Sequence, residues 1–410
     1  MGRRAVFYVP MLWRTYSACE STGVLAVAAI ATLLTVPPAS GADYREALST
    51  VETRLGRLCA IAGSAYPDHT VKGKWKLREP SNWTAGYFAG MLWLMYGQTK
   101  DPVWLERARR WTNPIGEFRH DKRDLNFGLS FMPTFVAGYR LTGDTAYRRI
   151  ALDAARALAA RYMPDGKYIR SWGTIGNTKQ QEFVIIDCLI DLDLLYWAAR
   201  ETGDGKYSEI ADNHAGVTVD AAIRPDGSSI QVVELDPQTG KKVAGRHKQG
   251  LSPQSCWSRG QAFGIYALAD AYRFTGKTRW LEAAERLAAY WEKNVPEDCV
   301  PYWDFNAPGI PREPRDSSAA AMAAGGFWKL SELVKNPMRG GQYRDIAIRT
   351  LDSLTDSYMA AGDAVSEGRM LVHATLHKPA GLGVDESMIL GDYYYLELLL
   401  NVLKAGKEVR

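Results

Sequence analysis

One nine-residue pattern recurs along the chain and constrains its fold more than any other feature. A Thr-Gly pair followed by Asp or Lys occurs, with an aromatic residue three positions later, at 139–147, 199–207 and 272–280, and a fainter copy lies at 96–104. Glycine readily adopts the left-handed conformation that ends a helix, and Asp is a favoured first cap of the next helix. Each copy therefore predicts a sharp turn between two helices.

Two segments that follow these turns carry apolar residues at helical spacing, which places them on one face of a helix. The first set is Tyr147, Ile150, Ala151, Ala154, Ala155 and Leu158, and the second is Trp280, Ala283, Ala284, Leu287, Ala288 and Trp291. The threonines of the four copies are about 40 to 75 residues apart, the length of a helical hairpin with its loop. The sequence thus predicts an array of about six α-hairpins, closed into a ring or, alternatively, open as a solenoid.

A closed ring would leave a bowl at one end, where loops would carry the chemistry. Strand patterns are scarce, and the best one, at 229–235, predicts a short ribbon within a long insertion. Since no linker-like segment follows residue 41, residues 42–410 are predicted to form a single domain.

Residues 1–41 have the parts of a secretory signal peptide. Three arginines among the first 14 residues precede an apolar run at 24–36, and Ala39-Ser40-Gly41 offers a small-residue cleavage site. The run is shorter than the roughly 20 residues that a membrane span needs. We expect cleavage and a periplasmic or secreted mature protein without membrane contact, with an uncleaved anchor as the alternative.

The composition limits the partners. The chain has 50 Lys+Arg against 46 Asp+Glu, too even a balance for binding nucleic acid through its phosphates. The 13 Trp and 21 Tyr suit a surface that stacks on sugars, although most of them must fill the core. We expect a monomer or a dimer.

Four cysteines follow the signal segment without metal-type spacing: Cys59, Cys188, Cys256 and Cys299. We expect free buried thiols, with one disulfide as the alternative.

Several common catalytic motifs are absent from the sequence, including the phosphate-binding loop, the His-Glu-x-x-His zinc site and the Gly-x-Ser-x-Gly nucleophile elbow. His373 and His377 are four residues apart but lack a clear third ligand. We therefore predict no metal site at this pair. His214 falls on an apolar stripe and is expected to be a hydrogen-bonded core histidine.

Asp187 is the most informative carboxylate, because it lies within the apolar run at 183–190. Burial raises the pKa of a carboxyl group, as a general acid near neutral pH requires. A capping or salt-bridged structural Asp is the other interpretation, and the residues alone leave both open. Asp191 and Asp193 are expected to face solvent or to cap a helix.

A second concentrated segment, at 249–263, places Trp257 and Arg259 at the start of an apolar helix, after a polar loop. The Arg can hold a carboxylate or hydroxyl groups by a two-pronged contact. A structural Arg that binds loop carbonyls fits the pattern as well. Trp83 and Trp172 add rings at loop–helix junctions, where either a core or a sugar-binding role is open. The acids of 302–305 and 315–321 are interpreted as structural.

A series of motifs, in order, resembles the unsaturated glucuronyl hydrolases of glycoside hydrolase family 88, over about residues 45–405. The motifs are 186–189 with 195–198, 224–228, 257–262, 300–305, 315–319 and 391–397. The resemblance implies an (α/α)6 barrel, which is an all-α six-hairpin toroid. It also implies a substrate left by polysaccharide lyases, an oligosaccharide that ends in a 4,5-unsaturated uronic acid. The reaction implied is hydration of that double bond, without a cofactor.

Carried over by position, the resemblance makes Asp187 the catalytic acid/base. It places Arg259, Gln249 and Trp172 in the pocket, and Trp83 with Tyr87 in its aromatic wall.

Five positions depart from the family pattern. The second acid of the family is Asn126 here, and its His neighbour is Leu125. Two further histidines are replaced by Gln231 and Lys248, and a Trp by Phe263; we expect these three residues to contact substrate. Asn126 cannot ionise, so a double displacement would lack its second carboxylate, whereas hydration needs a single proton donor. Asn126 would then orient sugar hydroxyls.

Two other residues could supply a missing acid, Asp121 and Asp124, although the spacing argues against an identical geometry. Lys248 would suit an anionic group such as a uronate or a sulfate, and a solvated surface Lys is the alternative. Two other functions remain open. One is a glycosidase on the same scaffold with a shifted substrate, such as an unsaturated rhamnogalacturonide or an intact uronide. The other is a catalytically silent sugar-binding protein.

Overall fold

The computed structural model describes residues 43–121, 126–173 and 182–408. The predicted signal segment, Asp124 and Leu125 lie outside these ranges. The described α-helices are α1 Tyr44–Ala62, α2 Ala85–Thr99, α3 Pro102–Thr112, α4 Phe127–Phe131, α5 Ala137–Thr142, α6 Thr145–Ala159, α7 Leu192–Thr202, α8 Gly205–Ala222, α9 Ser258–Thr275, α10 Thr278–Asn294, α11 Ser317–Leu333, α12 Pro337–Ser357 and α13 Ile389–Glu408. A π-helical turn, Met132–Val136, joins α4 to α5.

Six inner helical segments form a closed circuit. α2 contacts α4, α4 contacts α7, α7 contacts α9, α9 contacts α11, α11 contacts α13, and α13 returns to α2. The contact between the last and the first of these segments excludes an open solenoid. The outer layer consists of α1, α3, α6, α8, α10 and α12. The prediction of a closed (α/α)6 barrel is confirmed.

The repeated pattern forms the turn from each of four inner helices to its outer partner. Gly143, Gly203 and Gly276 cap their helices in the left-handed conformation, and Lys100 does so in the fainter copy. The preceding Thr hydroxyl donates to the carbonyl four residues back and accepts from the backbone N–H two residues ahead, in all four copies. Threonine therefore recurs because one hydroxyl group satisfies two backbone groups at the turn.

The two layers differ in burial, and the outer helix α10 follows the stripe that the sequence predicts. In α10 the buried residues are the six of the predicted stripe, and the opposite face is open to solvent. In α9 and α11 burial extends all round the helix over the first 14 residues, from Ser258 to Ala271 and from Ser317 to Leu330. A helix that is apolar on every side must be surrounded by other elements, as the inner position provides.

Strands are few and short, as the scarcity of strand patterns predicts, and they form ribbons in four of the connections that lead back to an inner helix. The described strands are β1 Tyr66–Val71, β2 Lys74–Arg78, β3 Tyr162–Met163, β4 Tyr168–Ile169, β5 Glu182–Ile185, β6 Val232–Leu235, β7 Lys242–Arg246, β8 Ala374–His377 and β9 Leu382–Glu386. The predicted ribbon at 229–235 corresponds to β6, which pairs with β5 and β7. The other strands are too short or too polar to show a period-two pattern.

The predicted free thiols are confirmed, since all four cysteines of the described residues are buried and unbridged. His214 is fully buried as expected, and its Nδ1 accepts the Ile169 N–H at 3.0 Å. Its Nε2 has no hydrogen-bond partner among the described residues, and burial lowers the pKa of this histidine to about 3. None of the described helices is apolar over a length sufficient to cross a bilayer.

Candidate active site

The ribbons and long loops all lead into the first turns of inner helices, so they gather at one end of the barrel. A cavity of about 240 Å³ lies there. Nine of the residues selected from the sequence line it: Trp83, Asn126, Trp172, Asp187, Gln231, Lys248, Gln249, Arg259 and Phe263. The amino-terminal ends of inner helices face this mouth, and the positive ends of their dipoles favour a ligand with negative charge.

Asp187 lies in a 3-10 turn, Ile186–Asp191, between β5 and α7. Its Oδ1 is buried and has no hydrogen-bond partner among the described residues. Burial raises the pKa of Asp187 to about 6, although the positive charges of Arg259 and Lys248 act in the opposite direction. A carboxyl group in this state holds a proton at mildly acidic pH and has an oxygen left for a ligand.

Asp191 does not face solvent, because it is only 1% exposed. Its carboxylate accepts from the backbone N–H groups of Asn126 at 3.3 Å, Gly128 at 2.6 Å and Leu129 at 3.2 Å, and so caps α4 rather than its own helix. Burial, with the charge of Asp187, raises the pKa of Asp191 to about 7. The capping contacts occupy the carboxylate, so Asp191 is structural.

Asn126 is held in the left-handed conformation, with φ of 74°. Asn tolerates this conformation better than most residues. The residue lines both the 240 Å³ cavity and a neighbouring cavity of about 470 Å³, into which Asp121 faces. Asn126 therefore forms part of the wall that the two cavities share, where its amide can bind hydroxyl groups.

Gln231 has a largely structural role in this site. Its Oε1 accepts three backbone N–H groups, from Lys248 at 2.8 Å, Gln249 at 2.7 Å and Gly250 at 3.0 Å. Gln249 in turn donates to the carbonyl of Leu376 at 3.0 Å. These bonds fix the loop that carries Lys248, so the two glutamines position the loop as well as line the cavity.

Arg259 is fully buried. Its Nη1 donates to Asp316 Oδ2 at 2.7 Å and to the Thr375 carbonyl at 2.8 Å, and Nη2 donates to the Leu376 carbonyl at 2.6 Å. The guanidinium therefore holds loop carbonyls, as the structural interpretation of the sequence anticipates. It still acts on the site through its charge, which lowers the pKa of Asp187.

Aromatic rings form the walls, but Tyr87 is not among them. Trp83 and Trp172 line the cavity, and the Lys248 ammonium lies 5.0 Å from the centre of a Trp172 ring. Tyr87 is 1% exposed and packs against Tyr394, with ring centres 5.6 Å apart. It lies on the buried face of α2, so the expectation that it borders the pocket is corrected.

The structure adds lining residues that were not selected as site residues, among them His377, Leu382 and Trp257. His377 is on β8, and its pKa is lowered by burial and by the charges of Lys248 and Arg259. The sequence drew attention to His377 only through its spacing from His373. The two imidazole rings have different surroundings, because His373 Nδ1 lies 2.6 Å from Asp385 Oδ1. Within the described ranges no cluster of His, Cys, Asp and Glu has a metal-binding arrangement.

The mouth of the helical toroid combines a carboxylic acid, tryptophan walls and cationic groups, a set suited to binding an acidic sugar. The family model of Glycosyl Hydrolase Family 88 matches residues 60–397, and the chain belongs to that family.

Characterised relatives agree with this assignment. The chain is 36% identical over 351 residues to the unsaturated glucuronyl hydrolase of Bacillus sp. (strain GL1), covering 83% of this chain and 91% of the relative. It is 33% identical to the unsaturated chondroitin disaccharide hydrolase of Streptococcus agalactiae serotype III (strain NEM316), covering 83% and 87%. The crystal structure of the Bacillus sp. GL1 enzyme superposes with a TM-score of 0.84 at 33% identity, over 88% of this chain and 97% of that one.

Proposed function

We propose that this protein removes the terminal 4,5-unsaturated uronic acid from oligosaccharides produced by polysaccharide lyases, with Asp187 as the general acid and base. The relatives named above act on unsaturated glucuronyl sugars and on an unsaturated chondroitin disaccharide, which supports this substrate class.

The observation that carries the proposal is the state of Asp187. It is the one carboxylate among the described residues that line the 240 Å³ cavity, and burial raises its pKa to about 6. A double displacement needs two carboxyl groups beside the scissile bond, whereas hydration of a vinyl ether needs one group that gives and then takes a proton. A single carboxyl group of raised pKa suits the second reaction.

The proposed reaction begins with a proton transfer from Asp187. The Asp187 carboxyl delivers its proton to C4 of the double bond, and a water molecule adds its oxygen to C5 while its released proton returns to Asp187. The product at C5 is a hemiketal, which opens by breaking the C5–ring oxygen bond. The hemiacetal left at C1 then releases the remaining sugar as an alcohol. Asp187 ends in its starting state.

The charges around the cavity suit the carboxylate of the unsaturated sugar. Lys248 and Arg259 are close enough to Asp187 to affect its pKa, and Arg259 is fixed by its carbonyl contacts. A uronate bound near these charges gains attraction in a site with little water. Asn126, in the wall shared with the neighbouring cavity, would bind sugar hydroxyl groups.

The test follows the ultraviolet absorbance of the C4=C5 bond. Purified residues 42–410 are incubated with lyase-generated disaccharides from hyaluronan, chondroitin, ulvan, gellan and pectin. We expect loss of absorbance with the wild type and at least 100-fold slower loss with Asp187→Asn, the usual scale for removing a general acid. Asp220→Asn is the matched control, because its side chain is 74% exposed on the outer helix α8.

Absorbance that persists with every substrate would contradict the proposal, as would full activity of Asp187→Asn. Preference for unsaturated rhamnogalacturonides would point to the shifted-substrate alternative instead. Sugar binding without turnover by the wild type would favour the silent binding protein.

We also propose that the protein is exported to the periplasm or beyond. The charged start, apolar run and small residues of 1–41 support export. Cell fractionation with N-terminal sequencing of the mature protein tests this: a chain that starts near residue 42 outside the cytoplasm is expected, and an intact cytoplasmic chain would contradict it.

A further inference from the structure

A cavity of about 500 Å³ lies inside the ring at the end opposite the proposed active site, and we call it the axial chamber. All six inner helical segments contribute to its lining. Its buried and half-buried lining includes Asp193, Tyr266, Asp270, Trp328, Lys329 and Tyr393. Arg200 and Arg273 stand at its rim, each in the last turn of an inner helix, just before a Thr-Gly turn. Both side chains are exposed, so the chamber opens to solvent at the end of the barrel where the compact turns lie.

Buried side chains separate the axial chamber from the 240 Å³ cavity. Leu129 lines both spaces, so the partition is one residue thick at this point. Tyr87 and Tyr394 also line the chamber, and their hydroxyl oxygens are 3.4 Å apart. Tyr87, which does not border the proposed active site, therefore borders this second space. A ligand that enters from the turn end is kept apart from a substrate beside Asp187.

Asp193 offers the chamber a carboxylate oxygen that is available for a ligand. The residue lies on α7 and is 8% exposed, and its Oδ1 has no hydrogen-bond partner among the described residues. Asp270 acts on it through its charge but is itself bonded to Lys329. A buried oxygen without a partner costs free energy, and a ligand that donates a hydrogen bond removes that cost. The chamber therefore favours a ligand with hydroxyl or amino groups.

The fixed charges of the chamber compensate one another. Its lining has four acidic and four basic side chains. Lys329 forms an ion pair with Asp270, and at the rim Arg273 lies 3.7 Å from Glu332. An ionic ligand would disturb this balance and leave a charge uncompensated in a poorly solvated space, which is costly. Between hydroxyl and amino groups, the charge balance therefore favours the neutral hydroxyl group.

Aromatic rings line the same space. Trp328 on α11 and Tyr393 on α13 both contribute to the wall of the chamber. The carboxylate of Glu397 accepts the Tyr266 hydroxyl at 2.7 Å, so an acceptor and a ring lie side by side. A pyranose presents C–H faces that pack on aromatic rings and hydroxyl groups that need polar partners. The volume of the chamber is within the range that holds a small organic ligand, such as a mono- or disaccharide.

We propose that the axial chamber is a second sugar-binding site, which takes a neutral mono- or disaccharide through a hydroxyl group donated to Asp193. The site is separate from the one at Asp187, and the inference does not depend on the reaction proposed for that residue. The protein would then hold a neutral sugar at one end of the barrel and react with an acidic sugar at the other.

Titration calorimetry with three sugars of one ring type tests the charge preference. Glucose is neutral, glucuronate is an anion and glucosamine is a cation, and lactose adds a neutral disaccharide. We expect a neutral sugar to bind with a dissociation constant on the order of 1 mM. Neither charged analogue should bind more tightly than glucose, because each would disturb the charge balance of the chamber.

Two variants locate the binding. Asp193→Leu removes the acceptor, and Asn401→Trp adds a ring at the exposed rim of the chamber on α13. We expect Asp193→Leu to weaken binding of the neutral sugar about tenfold, the scale of one buried hydrogen bond to a charged group. Asn401→Trp should weaken it as well, by narrowing the entrance. Trp172→Leu, in the wall of the 240 Å³ cavity, is the matched control and should leave this affinity unchanged. Urea unfolding checks that each variant folds, and the exposed Asn401→Trp carries the test if Asp193→Leu does not.

The outcomes separate this site from the proposed reaction. Absence of measurable binding of both neutral sugars overturns the axial site, as does tighter binding of glucuronate or glucosamine than of glucose. An affinity that falls in Trp172→Leu but persists in the chamber variants also overturns it, since the sugar would then occupy the active-site cavity. Each of these results leaves the proposed reaction standing, because loss of the C4=C5 absorbance is measured independently. A wild type without turnover that binds a neutral sugar through Asp193 would overturn the reaction and support the axial site.

Discussion

The carboxylate of Asp191 accepts a 3.3 Å hydrogen bond from the backbone N–H of Asn126, which connects the turn that carries Asp187 to the start of α4. The same carboxylate also receives the N–H groups of Gly128 and Leu129. Asn126 is therefore positioned by its main chain, and its side-chain amide remains available at the cavity. A substitution of this side chain changes the chemistry of the site with its backbone support in place.

We expect Asn126→Asp to raise the pKa of Asp187 further. A new carboxylate in the same cavity would disfavour ionisation of its neighbour, because like charges repel in a poorly solvated site. The pH at which kcat/KM falls on the alkaline side should then rise. A pH profile of kcat/KM on the best unsaturated disaccharide measures this, with the exposed Asn294→Asp on α10 as control. An unchanged profile would show that a charge at position 126 does not affect the pKa of Asp187.

The pH profile of the wild type follows from the raised pKa of Asp187. A group with a pKa of about 6 is mainly protonated below that pH, so the proton-donating form is lost as the pH rises above it. We expect kcat/KM to decrease about tenfold per pH unit above that point. Because the charge of Lys248 lowers this pKa, Lys248→Gln should move the decrease to higher pH. A decrease at the same pH in both proteins would contradict this role of Lys248.

The burial of Asp193 predicts that the stability of the folded protein depends on pH. It was expected to face solvent or to cap, but it is 8% exposed, and burial together with the charge of Asp270 raises its pKa well above the usual value. The folded state therefore holds the proton more tightly than the unfolded state, and stability is lost as the pH rises from the ordinary Asp pKa through the folded one. Asp193→Asn should raise the free energy of unfolding more at pH 8 than at pH 5.

Urea unfolding at the two pH values measures that difference, and Asp220→Asn should show none. A destabilisation by Asp193→Asn that is equal at both pH values would instead indicate a lost contact.

Gly128 should not tolerate a side chain. A Cβ atom at this position would lie 2.3 Å from Asp191 Cα, and neither backbone can move away without breaking the capping bonds. We expect Gly128→Ala to lower the free energy of unfolding by about 3 kcal/mol, at the upper end of overpacking costs. Gly341→Ala in α12 has open space around it and should raise stability by about 1 kcal/mol. Urea denaturation measures the free energy of unfolding of both variants. An unchanged value for Gly128→Ala would contradict this expectation.

The sequence predicted the features that depend on neighbouring residues. The Thr-Gly turns are local hydrogen-bond patterns, and the stripe of α10 is a property of one helix. Asp187 could be selected because a carboxylate is conspicuous within an apolar run. What could not be predicted depends on residues distant in the chain. Asp191 accepts the N–H of Gly128, 63 residues earlier, and His377 reaches the site through a hairpin that follows α12.

Tyr87 shows a further limit. It lies on an inner helix that is buried on nearly every side, and a sequence does not distinguish which rings of such a helix reach the cavity. The phenol lies against Tyr394 instead. Short ribbons such as β3 and β8 were missed for a similar reason, since a strand of two to four residues has no readable periodicity.

The two ends of the barrel differ in the length of the segments that connect the helices. Compact turns, most of them built on threonine, join the helices at one end, whereas the described ribbons lie in the connections at the other. Segments at this end can therefore lengthen, shorten or exchange during evolution without altering how the inner and outer helices pack. The substrate range can therefore change while the helical barrel folds as before. Differences between relatives should concentrate in the ribbons.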